Sequence, residues 1–144
     1  MKKIAVSACL LGENVRYNGT NKKNDSLINL LNNCEIISIC PEMYAGFKIP
    51  HVPYEIKDNI VIDKDNNDVT DMFISGASIA LEKIKDCDFV VLKTKSPSCG
   101  YKKIYDGSFT GTLVDGNGVF TDLCLKNNIK VFTEEDLDII ANLI

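Results

Sequence analysis

Four short segments along the chain are apolar with little interruption: Ile4–Ser7, Glu35–Ile39 ("EIISI"), Phe89–Leu92 ("FVVL") and Ile129–Phe132. Rich in β-branched residues and bounded by polar or turn-forming positions, they predict β-strands. Between them, apolar residues recur every three or four positions, the helical period. Leu27, Leu30, Leu31 and Cys34 line one face behind a capping Asn24 or Asp25. Phe73, Ala77, Ala80, Leu81 and Ile84 do the same within Thr70–Lys85. A third helix is predicted over Val119–Asn127. A last one follows Thr133 as cap, with Glu134, Glu135 and Asp136 in its first turn, where the helix dipole favours acids. It is expected to bury Leu137, Ile140, Ala141 and Ile144.

The remaining stretches break both periods. Pro41–Asp58 holds three of the four prolines and predicts an irregular excursion. "NIVID" followed by "KDNND" predicts a small strand and a turn. Tyr105–Gly118 is punctuated by glycine and ends in the turn signal Asp115-Gly116-Asn117-Gly118. Strands alternating with helices predict an α/β fold. The expected architecture is a single domain over residues 1–144, with a largely parallel sheet of about four main strands flanked by helices in a Rossmann-like three-layer arrangement.

Composition narrows the function classes. A formal net charge of -4 argues against broad binding to nucleic acid or membrane surfaces through charge alone. No apolar run approaches the roughly 18 residues of a membrane span. Met1-Lys2-Lys3 before "IAVSAC" imitates a lipoprotein signal, but the apolar segment of about five residues is shorter than a signal core of roughly seven to fifteen. That segment is read as a strand, and the protein is expected in the cytoplasm. In that reducing compartment six cysteines do not predict a disulfide framework, and no C-x-x-C pair signals a zinc ribbon or a thioredoxin-type motif.

Position in the predicted fold sorts these cysteines. Ligands of an open parallel sheet bind at the carboxyl ends of its strands. Cys9 follows the first strand, Cys40 the second, and Cys99 lies in the loop after the third, so these three are expected to converge. Cys34 and Cys87 precede strands, and Cys124 falls within a helix. Small buried hydrophobes is the plainer reading of those three. Converging thiolates select zinc or an iron–sulfur cluster, and three protein ligands leave one position open.

The neighbourhood suggests further chemistry. Lys93, Lys95, Lys102 and Lys103 flank Cys99, Arg16 follows the first cysteine loop, and backbone N–H groups near Gly12 and Gly100 are expected to donate to cluster sulfurs. Glu42, two residues after Cys40, suits proton transfer, and Ser96 and Ser98 can donate or relay, or simply shape the turn around Pro97. His51, the only histidine, is read as structural. A cysteine nucleophile at Cys99 finds no histidine base in a matching loop.

"VSACLLG" with "RYNG", "CPE", "KSPSCG" and "IYDGSFTGTL", in that order, together with "DVTDMFISGA" and "NIKVFTEEDL", resemble the bacterial family long catalogued as a domain of unknown function and typified by thiouracil desulfurase. The resemblance covers nearly the whole chain. It implies a [4Fe-4S] cluster held by Cys9, Cys40 and Cys99, with one iron lacking a protein ligand and available to thiocarbonyl sulfur. It also implies Glu42 and Ser96 as the catalytic pair, a small thiolated pyrimidine as partner, and no stable nucleic-acid complex. A cluster- or zinc-binding protein without catalysis is the alternative. Two departures stand out. Val15 replaces a cysteine common in relatives, and "GFKIPHVP" replaces "GLPTPRPP", placing Ile49 and His51 where relatives carry threonine and arginine.

Overall fold

The computed structural model describes residues 1–144. Its main sheet has four strands, β1 (Lys3–Ser7), β2 (Glu35–Ile39), and the later pair Phe89–Leu92 and Val131–Thr133. Between β2 and that pair lie β3 (Glu55–Lys57) and β4 (Ile60–Ile62), an antiparallel hairpin apart from the main sheet. The later strands are therefore β5 (Phe89–Leu92) and β8 (Val131–Thr133), with β6 (Lys103–Tyr105) and β7 (Leu113–Asp115) forming a second small hairpin between them. The main sheet runs in the order β2-β1-β5-β8, parallel throughout. The expected α/β class and parallel four-strand sheet are what the structure has.

Helices cover both faces. The helices α1 (Asp25–Leu30), α2 (Pro41–Tyr44), α3 (Thr70–Lys83), α4 (Val119–Lys126) and α5 (Leu137–Ala141) complete the chain. Side chains alternate across a strand, so Val90 and Leu92 join Ala77, Ala80 and Phe120 on the α3–α4 face. Phe89 and Val91 join Leu27, Leu31 and Ile140 on the α1–α5 face. Every residue of β5 is buried, which accounts for its unbroken apolar run.

Three local readings are corrected. Pro41–Asp58 is not wholly irregular: it contains α2 and β3. Proline at the first helical position sacrifices no hydrogen bond, so "CPEMY" starts a helix with Cys40 as its cap residue and Pro41 at N1. The glycine-rich 105–118 stretch spans the turn and return strand of the β6–β7 hairpin, with Ile104 opposite Val114. Thr133 ends β8, and Asp136 takes the cap position of α5 instead, its carboxylate accepting the Thr133 N–H at 2.9 Å. That helix buries Ile140 only, and Ile144 is exposed.

Candidate active site

Parallel strands share one carboxyl edge, and β2, β1 and β5 are consecutive neighbours in the sheet. Each delivers one of the expected thiols to that edge. Cys9 sits in the tight 3-10 turn Ala8–Leu11 that follows β1. Cys40 caps α2 immediately after β2. Cys99 lies in the loop after β5, 4 % exposed. The charge states of the three act on one another: Cys99 responds to Cys40 and Cys9, and Cys40 to Cys9. Cys34 and Cys87 pack instead against opposite faces of the core, and Cys124 is fully buried on the inner face of α4. All six thiols are free.

Burial dominates the acidity of the convergent three. It pushes the Cys9 and Cys40 thiols up to about 11, and Cys99 higher still. Each also has a partner favouring its thiolate. Lys93 and Arg16 act on Cys9, the backbone N–H groups of Met43 and Glu42 on Cys40, and the hydroxyls of Ser7 and Ser98 on Cys99. No three His, Cys, Asp or Glu side chains are grouped so as to hold a single metal ion.

The expected ring of lysines around Cys99 is not what forms. Lys95, Lys102 and Lys103 are exposed; Lys103 pairs with Asp115 and Lys102 lies over the Tyr101 ring. Positive charge reaches the site through Lys93, itself bound to Glu134 at 3.0 Å, and through Arg16. The N–H groups of Gly12 and Gly100 are also committed elsewhere, to the carbonyls of Cys9 (3.3 Å) and Ser96 (2.9 Å). They are not free donors for a cluster.

The "SPSCG" loop owes its position to α4. The first N–H groups of a helix lack partners within it, and here the loop carbonyls supply them. Val119 N–H donates to Pro97 at 2.9 Å and Phe120 N–H to Ser98 at 2.9 Å, while Gly118 N–H donates to Gly100 at 2.7 Å. The approach is so close that a Cβ at Gly118 would stand 2.4 Å from the Ser98 carbonyl carbon. Within the loop, Ser96 Oγ accepts the Cys99 N–H at 2.7 Å. Ser98, 3 % exposed, donates its hydroxyl proton to Glu42 Oε2 at 2.7 Å.

Glu42 projects from α2 into the same region. Burial raises its carboxyl above the usual range, opposed by the Ser98 hydrogen bond and then by His51 and Arg16. The sequence suggests a structural role for His51, and its Nε2 lies 4.0 Å from Glu42 Oε1. Its Nδ1 is 2.7 Å from the Val52 carbonyl. That contact places a proton on Nδ1 and turns Nε2 toward the carboxyl. The imidazole is stacked on Tyr54 and packs beside Phe47, both at 5.3 Å between ring centroids. A lone histidine in a proline-rich stretch carries no sequence signal of this approach, because the loop from α2 to β3 creates it.

Set beside known proteins, the chain matches the model of the 2-thiouracil desulfurase family over residues 4–136. The chain belongs to the 2-thiouracil desulfurase family. All the residues placed at the strand edge fall inside the matched span. A solved family-like structure, described as the [4Fe-4S]-dependent thiouracil desulfidase TudS, superposes with a TM-score of 0.90 at 36% identity, covering 100% of both chains. The uncharacterized protein YbbK of Bacillus subtilis (strain 168) is 33% identical, over 94% of this chain and 97% of its own length. Likeness to the family therefore extends through both hairpins as well as the main sheet.

Proposed function

We propose that this protein replaces the sulfur of a thiolated pyrimidine of the thiouracil type with oxygen, releasing sulfide, and that Cys9, Cys40 and Cys99 hold a [4Fe-4S] cluster for this purpose. The observation that carries the reading is the gathering of two buried thiols and one half-buried thiol, mutually responsive, beside a half-buried carboxyl, at adjacent strand ends of a 2-thiouracil desulfurase family fold. The donors fit the group. Burial disfavours free thiolates here, whereas metal coordination deprotonates thiols outright. Sulfurs sharing one tetrahedral zinc at about 2.3 Å would lie only about 3.8 Å apart, and no such grouping exists. Ligands to separate irons of one cluster need no such crowding.

When bound, a cluster with three protein ligands supplies an iron open to a soft thiocarbonyl sulfur. The rest of the chemistry belongs to the chain. Exchanging C=S for C=O consumes one water and yields hydrogen sulfide, so both protons of the water must leave its oxygen and reach the sulfur. Glu42 is the group in place for both transfers. Its Oε2 is engaged by Ser98, which leaves Oε1 to face water and substrate. Ser96 contributes a hydroxyl beside Cys99, its own lone pair anchored by the Cys99 N–H. Its proton is free for the heterocycle or for Ser98. His51, wedged among Phe47, Tyr54 and Tyr17, walls the Oε1 side of Glu42.

Oxygen-free preparation tests the reading. The protein is expected brown, with about four irons and four sulfides per chain, and to release sulfide and uracil from 2-thiouracil. A colourless protein holding one zinc, or a cluster-loaded protein that leaves 2-thiouracil intact, would overturn it.

A further inference from the structure

Glu42 and Ser96 form no hydrogen bond with each other. The residue that joins them is Ser98, whose Oγ donates to Glu42 Oε2 at 2.7 Å and lies 3.4 Å from Ser96 Oγ. Counting protons fixes the direction of this chain. A serine hydroxyl has one proton to donate and lone pairs to accept. Ser96 Oγ accepts the Cys99 N–H at 2.7 Å, so its proton can turn toward Ser98. Ser98 gives its single proton to the carboxylate, the shorter and stronger contact, and receives from Ser96. Its 3.7 Å approach to Cys99 Sγ is the longer and weaker of the two contacts open to that proton.

Ser98 is also held through its backbone. Its carbonyl accepts from Phe120 N–H at 2.9 Å and Thr121 N–H at 3.3 Å, at the start of α4. With 3 % of the residue exposed, solvent has little access to compete for its hydroxyl. A rigid hydroxyl clamped to one oxygen of a carboxyl on a different element selects one rotamer for that carboxyl. We propose that Ser98 is a positioning residue of the desulfuration reaction: it locks Glu42 through Oε2 so that Oε1 is presented to the reacting centre, and it orders Ser96 in the same network. This rests on the desulfurase reading above and adds a role that neither Glu42 nor Ser96 can fill.

The test compares Ser98→Ala, Ser98→Thr and Glu42→Gln, together with the Ser98→Ala/Glu42→Gln double variant. Each is prepared without oxygen, loaded with cluster and assayed on 2-thiouracil. Ser98→Ala is expected to keep wild-type iron and sulfide content and melting temperature. Its kcat should fall about 100-fold, the scale of a misplaced reacting group, with KM within about threefold. Ser98→Thr, which retains the hydroxyl, should recover to within about tenfold of wild type, and Ser98→Ala should cost less than about threefold once Glu42 is already glutamine. A crystal structure of Ser98→Ala should show the Glu42 carboxyl displaced. A wild-type kcat in Ser98→Ala, an unmoved Glu42, or a full loss repeated in the Glu42→Gln background would each overturn the proposal. So would loss of the cluster itself, which would make Ser98 part of the scaffold. A loaded wild type inactive on 2-thiouracil would overturn the desulfurase reading and this role with it. An active wild type with an equally active Ser98→Ala would overturn this role alone.

Discussion

At Glu42 two influences oppose each other: burial favours the protonated carboxyl, and the Ser98 hydroxyl favours the carboxylate. A group poised in this way exchanges protons more readily near neutrality than an exposed glutamate does. Glu42→Gln keeps the size and loses the exchangeable proton. It is expected to load a full cluster while kcat falls about 10²-fold or more, read by sulfide release against iron content. Cys124 makes the contrasting case of a thiol with no chemical task. Fully buried on the inner face of α4, it is pushed up to about 12 from 9.0 by burial alone. Because its acidity is weaker folded than unfolded, the folded chain retains that proton as pH rises past 9.0, while the unfolded chain releases it. The thiol's contribution is therefore complete below that pH and is lost progressively toward about 12. Denaturant titrations at pH 8 and 10 should show about 1 kcal/mol less alkaline loss in Cys124→Ala than in wild type.

Among the elements, α2 is the least legible and the most consequential. Its four residues hold Cys40 and Glu42 in place, and it depends on contact with α3 to do so. That contact is made at Gly76, where an added Cβ would lie 2.1 Å from the Pro41 carbonyl oxygen. Gly76→Ala gains helix propensity yet must push α2 away. The expected net result is a loss of about 1–3 kcal/mol in thermal or denaturant unfolding, together with incomplete cluster loading because Cys40 moves. Unchanged loading would show that α2 tolerates the shift. A helix far from the thiols gives the control: Asn24 caps α1, its side chain accepting the Leu27 N–H at 3.0 Å. Asn24→Ala should cost about 1 kcal/mol and leave loading and turnover as they are.

For the molecule as a whole, the assignment of ligands rests on the sheet. Cys9→Ala, Cys40→Ala and Cys99→Ala are each expected to abolish cluster loading, whereas Cys34→Ala and Cys87→Ala keep it, measured as iron and sulfide per chain. A full cluster in any of the first three would remove that residue from the ligand set. Much of this was readable from the residues alone. Hydrophobic periodicity located the four main strands and four of the five helices, because a strand buried on both faces or a helix buried on one must display its period. Alternation of strands and helices then implied the parallel sheet, and the shared carboxyl edge of such a sheet separated Cys9, Cys40 and Cys99 from the other three cysteines. The small elements were not readable in this way. The helix α2 and the strands β3, β6 and β7 are too short to show a period, and they form because neighbouring elements cover them. Charge placement escaped for a related reason: a lysine's number says nothing about whether its long side chain turns to solvent, and only Lys93 and Arg16 among the expected cations act on a site thiol. The sequence by itself determined the fold class and which thiols share an edge, since both follow from local patterns. Tertiary structure alone decided that Ser98 holds Glu42 and that His51 faces it, because those contacts join segments whose separation in the chain carries no periodic signal.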